Sequence, residues 1–338
     1  MEKTLRATWT SPSNIALIKY WGKKTVQMAQ NSSLSLTLKN SVTTMSIEKK
    51  ESKSGLVVNF LFEKNKNEKF EKKITKFLTS ISSDFPWLLT STLYIDSSNT
   101  FPHSSGIASS ASSMSALVLC ILSLDEAETG KKDSTEKFFE RASFYARLAS
   151  GSACRSLFPF FGLWKIDSET AIPYKEVHPI FLSLYDSILI VDESEKSVSS
   201  SAGHALMENH PYSNARYTDA ENNLNRLLVA MKEGYFTSFS EIVEHEALSL
   251  HALMMLSSPS IILLKPESLE IILKVKEWRA LNKIPITFTI DAGPNIHLIY
   301  PETSKEMVRS FIENVLWPNK KVIHDQMGEG PKLASYGN

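Results

Sequence analysis

Between Phe101 and Leu122 the chain passes from a serine-rich turn, Phe101-Pro-His-Ser-Ser-Gly-Ile-Ala-Ser-Ser-Ala-Ser112, directly into an apolar block carrying Leu117, Val118, Leu119, Ile121 and Leu122. A helix over Ile107 to Leu122 has no polar face to offer water, so it must be largely buried and the other elements must enclose it. Its small residues let the first turns pack closely. The same start is chemically suggestive, because a helix N-terminus has unpaired N–H groups and a positive dipole end, Gly106 admits close backbone approach, and serine hydroxyls add donors. Composition leaves two readings open here, a phosphate site and a stretch chosen for tight packing. Neither G-x-x-x-x-G-K-[ST] nor G-x-G-x-x-G occurs in the chain, so no Walker loop or Rossmann fingerprint explains the segment.

Strands are expected on both sides of that helix. Ser33 to Leu38, Thr43 to Glu48, Leu56 to Phe62 and Thr92 to Asp96 alternate and are rich in β-branched and aromatic residues. Glu68 to Ile81 has helical apolar spacing, with Lys69, Lys72, Lys73 and Lys76 read as its solvated face in preference to an anion patch. A helix from Ser134 to Leu148 with Ser134 as N-cap, and strands at Phe161 to Ile166 and Ser187 to Val191, follow. The second half is patterned as helices at Ser199 to Met207, Asn214 to Lys232, Phe236 to Met255 and Glu267 to Leu281. Strands at Ile286 to Ile290 and Ile296 to Tyr300, a last helix and one short final strand complete it. Mixed sheets with helices segregated by lobe indicate an α+β fold, and 338 residues suffice for about two domains or two large lobes.

Charge narrows the partners. Lys plus Arg, 37, equals Asp plus Glu, 37, so nothing like a nucleic-acid-binding surplus exists, although a few cations in a cleft can still take a small anion. Two cysteines, Cys120 and Cys154, are too few for a disulfide framework. With no apolar core in Met1 to Asn14 and no apolar run of spanning length, a cytoplasmic protein that enters no membrane is expected.

Three further segments carry candidate chemistry. Lys19 interrupts the apolar run of Ser13-Asn14-Ile-Ala-Leu-Ile-Lys19-Tyr20-Trp21-Gly22-Lys23, and must either snorkel to solvent or pair with a carboxylate or phosphate. Arg155 closes a small-residue loop, Ser150-Gly-Ser-Ala-Cys-Arg155-Ser156, as a surface arginine or as a fork for carboxylate or phosphate oxygens. Asp291 ends an apolar strand at Asp291-Ala-Gly-Pro-Asn295, as a turn former or as a site carboxylate. Glu244-His245-Glu246 with His251 fits no zinc spacing, and no certain metal ligand is assigned.

Taken together, SNIALIKYWGK, NSSLSLTL, PHSSGIASSAS, SGSACRS and DAGPN, in that order across residues 13 to 295, closely resemble the diphosphomevalonate decarboxylase family of the GHMP small-molecule kinase superfamily. The resemblance implies a two-lobed GHMP fold with a ligand cleft. Its N-terminal lobe, residues 1–185, would be like ribosomal protein S5, and its C-terminal lobe, residues 186–338, ferredoxin-like. It implies ATP-dependent decarboxylation of mevalonate 5-diphosphate to isopentenyl diphosphate, with ATP and Mg²⁺ required, and a homodimer. Asp291 would act as general base toward the 3-hydroxyl. Lys19 would hold that carboxylate ionised and stabilise phosphoryl charge. Arg155 would orient the substrate carboxylate, Ser200 would lie near the transferred phosphoryl, and Asn14 would belong to the same catalytic set. The diphosphate contacts fall on Tyr20, Lys23 and Ser152, with Arg216 on a later helix added to them. The ATP phosphate loop falls on Ser104, Ser105, Gly106, Ala108, Ser109 and Ser110.

The chain departs from the family's pattern twice. Phe158-Pro159-Phe160-Phe161 stands where an aromatic and two glycines are usual, and Ser201 stands where some relatives have an arginine that grips the diphosphate. Two other readings compete: a related GHMP enzyme that acts on mevalonate 5-phosphate or phosphorylates without decarboxylating, and a non-catalytic nucleotide-binding protein. Lys19 and Asp291 together weigh against a pure kinase, and the joint presence of Lys19, Arg155 and Asp291 weighs against the non-catalytic reading; the choice between diphosphate and monophosphate stays open.

Overall fold

The computed structural model describes residues 4–24, 27–102, 109–194 and 200–337, with the backbone alone at 200, 201 and 337. The first half contains β1 (Leu5–Ile18), β2 (Ser33–Glu51), β3 (Val57–Phe62), β4 (Asn65–Lys66), α1 (Glu68–Ser80), β5 (Ser91–Asn99), α2 (Ser109–Thr129), α3 (Thr135–Ala149), β6 (Phe161–Trp164) and β7 (Ile172–Pro173). The second contains β8 (Leu184–Leu189), α4 (Ser200–Ala205), α5 (Ser213–Glu233), α6 (Phe236–Met255), α7 (Pro266–Asn282), β9 (Thr287–Thr289), β10 (Ile296–Pro301), α8 (Lys305–Phe311), β11 (Val322–Gln326) and β12 (Lys332–Gly337).

These strands make two sheets, one in the order β12-β1-β2-β5-β3-β4 with β6 also pairing β2 and β7 pairing β6, the other β11-β8-β10-β9. Helices cover them, giving the α+β arrangement expected. Helix α2 lies in the interior, every residue from Ala111 to Leu124 buried. By length and composition it could cross a bilayer, contrary to the expectation that no such run existed; packed inside protein, it is a core helix. Each large apolar side chain it buries contributes about 1.5–3 kcal/mol. Caps are as the sequence suggests for α3, where the Ser134 hydroxyl accepts from the Lys137 N–H.

Two differences from the sequence reading matter for the site. The strands expected at Ser33 to Leu38 and Thr43 to Glu48 form one long strand, β2, with a break in register: Pro12 of β1 faces Val42, but Asn14 faces Thr37. Residues 38–41 therefore have no partner on β1, and their N–H groups need another acceptor. Asp325 of β11 supplies it, its buried carboxylate accepting from the N–H of Lys39 at 3.1 Å, Asn40 at 2.8 Å and Ser41 at 2.7 Å. The single final strand becomes two, and β12 returns to pair antiparallel with β1, from Arg6 opposite Gly337 to Thr10 opposite Lys332.

The bulky Phe158-Pro159-Phe160-Phe161 segment is held by its backbone. Phe160 accepts from Thr37 N–H and donates to the Gly328 carbonyl, both at 2.9 Å, and reaches this geometry with a left-handed φ of 63°.

Replacing Asp325 with alanine removes a charged acceptor shared by three backbone N–H groups, of which that of Ser41 is buried. Asp325→Ala is expected to cost about 3 kcal/mol of stability in urea unfolding; an unchanged midpoint would show that the β2 corner holds by itself.

Candidate active site

One cavity, about 940 Å³ including its open mouth, collects side chains from both halves of the chain. The end of β1 and the loop after it contribute Asn14, Lys19, Tyr20, Trp21 and Lys23; α1 contributes Lys73, and the start of α2 contributes Ser110. The Gly151–Leu157 turn adds Ser152 and Arg155, α4 adds His204, and the turn after β9 adds Asp291. Lys19, Lys23, Lys73 and Arg155 face one carboxylate among the described lining residues, so the cavity favours an anion of several charges.

At its floor the Lys19 ammonium donates to Asp291 Oδ1 and to the Ala16 carbonyl, each at 2.8 Å. Lys19 is almost completely buried, and it pairs rather than snorkels. Burial lowers its pKa, and the Asp291 charge pulls in the opposite direction. Helix α6 fixes both partners through their backbones. Glu246 Oε2 accepts from the Lys19 N–H at 2.9 Å, and His251 Nε2 lies 3.0 Å from the Asp291 carbonyl.

Arg155 is buried, with Nη1 donating to Ser33 Oγ at 2.5 Å and Nε without a hydrogen-bond partner. Burial pushes its pKa down. Asn14 Nδ2 donates to Ser156 Oγ at 2.7 Å and to the Ser152 carbonyl at 3.3 Å, tying β1 to the arginine's turn. The Tyr20 hydroxyl is likewise buried and unpartnered, and burial raises its pKa. It comes so close to Gly151 that a Cβ there would sit 2.7 Å from it, which accounts for the glycine in SGSACRS. His204 Nδ1 accepts from the Gly22 N–H at 3.0 Å. Burial, then Lys23 and Arg155, push its pKa to about 3.

The structure thus gathers Lys19, Asp291, Arg155, Asn14, Tyr20, Lys23, Ser152 and Ser110 around one cavity. Ser109 begins α2 but does not line it. Ser104, Ser105, Gly106 and Ala108 lie outside the described residues, as does the side chain of Ser200 at the start of α4. Arg216 requires a correction. Its guanidinium forks onto Glu246 with two 2.7 Å hydrogen bonds and donates to the Lys19 carbonyl at 3.1 Å, fully buried and away from the cavity lining. Its role is to neutralise Glu246, whose carboxyl is held below its usual pKa despite burial, chiefly by that arginine.

Lys73 was missed. Part of the helix's solvated face and exposed as a residue, it nonetheless reaches the cavity wall, where its ammonium donates to Ser110 Oγ at 3.2 Å; burial at that end, then the Lys23 charge, lower its pKa. The spacing of four lysines on α1 held no clue, because only the placement of α1 beside the start of α2 selects one of them.

Arg216→Met strands the Glu246 charge in the interior and is expected to cost about 3–5 kcal/mol in denaturant unfolding, with most of it regained in Arg216→Met/Glu246→Leu. Failure of the double variant to recover would mean the pair does more than cancel charge. His204 gives a pH signature. Its pKa is about 3 folded and about 6.5 unfolded, so the unfolded chain binds the extra proton. Stability is therefore complete above pH about 6.5 and declines below it, by at most about 1.4 kcal/mol per pH unit. Melting between pH 7 and 5 should show a shallower decline in His204→Asn; parallel curves would contradict this.

Sequence and structure comparisons agree with the geometry. A model of the diphosphomevalonate decarboxylase-like N-terminal domain matches residues 11–173, and one of the mevalonate 5-diphosphate decarboxylase C-terminal domain matches residues 187–334. The diphosphomevalonate decarboxylase of Candida albicans is 31% identical, covering 97% of this chain and 98% of its own; that of Ganoderma lucidum is 29% identical, at 96% and 85% coverage. A solved structure of the mevalonate diphosphate decarboxylase from Enterococcus faecalis superposes with a TM-score of 0.85 at 28% identity, covering 98% of this chain and 99% of that one. The same scores and coverage hold for a structure of MDDEF in complex with MVAPP, AMPPCP and magnesium. With this match over both lobes, the chain belongs to the diphosphomevalonate decarboxylase family and has its two-lobed GHMP kinase fold.

Proposed function

We propose that this protein converts mevalonate 5-diphosphate and ATP to isopentenyl diphosphate, ADP, phosphate and carbon dioxide. The observation that carries the reading is the 2.8 Å pair between buried Lys19 and partly exposed Asp291, on the floor of a cavity that also holds Lys23, Lys73 and Arg155. The tertiary 3-hydroxyl is a poor leaving group. Asp291 would take its proton as the oxygen attacks the γ-phosphoryl of ATP, while Lys19 would offset charge on the transferred group. When the C3–O bond then breaks and phosphate leaves, C3 becomes electron-poor. The C1–C2 bond electrons move to form the C2–C3 double bond, and C1 departs as carbon dioxide. Arg155, whose Nε lacks a partner, suits a substrate carboxylate held in line for that departure.

Lys23, Tyr20 and Ser152 form the wall suited to the substrate's diphosphate, and Lys73 with Ser110 the wall suited to nucleotide phosphates. Mg²⁺ would ride on the ATP phosphates and neutralise their charge. Among the described lining residues Asp291 is the carboxylate, a hard oxygen ligand of the kind Mg²⁺ takes beside phosphate oxygens and water. The reading includes a cytoplasmic homodimer; the buried free thiols of Cys120 and Cys154 are compatible with a reducing compartment.

The test incubates pure protein with ATP, Mg²⁺ and each mevalonate phosphate while measuring ADP and carbon dioxide together. One-to-one release from the diphosphate is expected, and ADP without carbon dioxide would overturn the assignment. In the same assay Asp291→Asn should lose about 10²–10⁴ in kcat with KM little changed. Turnover above about a tenth of wild type would remove Asp291 from the chemistry.

A further inference from the structure

His204 is used by none of the steps above, yet it lines the cavity beside Tyr20, Lys23 and Arg155. Its ring lies between two aromatic rings, with centroids 4.4 Å from Tyr20 and 4.7 Å from Trp21. Gly203, the residue before it, has no room for a side chain, since a Cβ would meet the Trp21 ring at 2.5 Å. The imidazole is therefore locked in place by packing rather than free to turn. Its hydrogen bonding is also settled. A backbone N–H can only donate, so Nδ1 is the acceptor of the Gly22 N–H, and the neutral ring must carry its proton on Nε2. Nε2 is on the ring edge away from Gly22, and among the described residues it has no hydrogen-bond partner. The Tyr20 ring is packed with its centroid 4.4 Å from that of the imidazole, and the Tyr20 hydroxyl is buried and unpartnered. Two neutral donors thus stand unused beside two cations in a cavity that selects anions.

We propose that His204 is a specificity-determining residue, its Nε2–H donating to a phosphoryl oxygen of the substrate's diphosphate alongside the Tyr20 hydroxyl and the Lys23 ammonium. This deepens the functional reading above and rests on it. A neutral donor has a particular use here. Lys23 and Arg155 already supply charge, and a third cation packed against them would be repelled; burial first, and then that repulsion, keep the His204 ring unprotonated. The ring instead contributes direction, and a hydrogen bond to a charged oxygen is among the stronger ones. Because the ring stays neutral well below pH 6, the contact does not switch within the working range. The ionisable groups facing it are Tyr20, Lys23 and Arg155.

Two substitutions separate the ligand role from the structural one. His204→Asn keeps an acceptor where Nδ1 meets Gly22 and deletes the distal donor. His204→Gln places an amide near the Nε2 position and gives up the Gly22 contact. His204→Asn should raise KM for mevalonate 5-diphosphate about tenfold with kcat nearly unchanged. His204→Gln should stay within about threefold of wild-type KM even where it melts earlier. Wild-type KM in His204→Asn, or a larger KM defect in His204→Gln, would reduce His204 to a cap for Gly22. The ratio of KM between His204→Asn and wild type should be flat from pH 5 to 8; a tenfold change through pH about 6.5 would mean a titrating histidine and overturn the neutral donor. Calorimetry with inorganic pyrophosphate serves as an arm independent of turnover. Should wild type release no carbon dioxide from the diphosphate, the functional reading fails, and about tenfold weaker pyrophosphate binding by His204→Asn still supports the contact, while equal binding overturns it.

Discussion

An ammonium group cut off from water is unstable unless opposite charge and hydrogen-bond acceptors are delivered to it, and the site is arranged around meeting that need for Lys19. Asp291 and the Ala16 carbonyl do so directly. Neither would stay in place without the helix behind them. Glu246 and Arg216 hold the Lys19 N–H and carbonyl, and Asn31 adds a second donor to that carbonyl at 2.9 Å. A buried ion pair, Arg216–Glu246, thus anchors the Lys19–Asp291 pair, whose members lie 272 residues apart in the chain.

This layering explains what could be read in advance. Lys19, Arg155 and Asp291 stand out in the sequence because each breaks a local rule: a lysine in an apolar run, an arginine after small residues, an aspartate at a strand end. Helix positions were legible from periodicity, and α6 matches its expected bounds, Phe236–Met255. Residues that act through tertiary placement were not legible. Glu246 looked like part of a failed metal motif, Arg216 like a ligand-binding cation, Lys73 like one of several solvated lysines, and His204 like nothing in particular. Their partners lie on other elements, and no spacing along one helix encodes that. The two-strand reading of β2 failed for a similar reason, since the acceptor that bridges its corner, Asp325, is more than two hundred and eighty residues away.

The halves of the chain share a core. One apolar cluster joins Ile15, Leu17, Leu34 and Leu36 of the first sheet to Leu224, Leu227, Phe239 and Ile299 of the second half. The cavity floor therefore sits on packed side chains rather than on a hinge with water behind it, which suits a reaction whose groups must be held within a fraction of an ångström.

The pairing of β12 with β1 bears on how the molecule is made. Strand β1 carries the approach to Lys19, yet it becomes an interior strand only when residues 332–337 lie against it. During synthesis the first half can collapse around α2 long before that, leaving one margin of its sheet with unpaired N–H and C=O groups for the time needed to make the rest. That open margin is the place where a nascent chain of this protein would be most prone to pair with another, and where a chaperone would have most to shield.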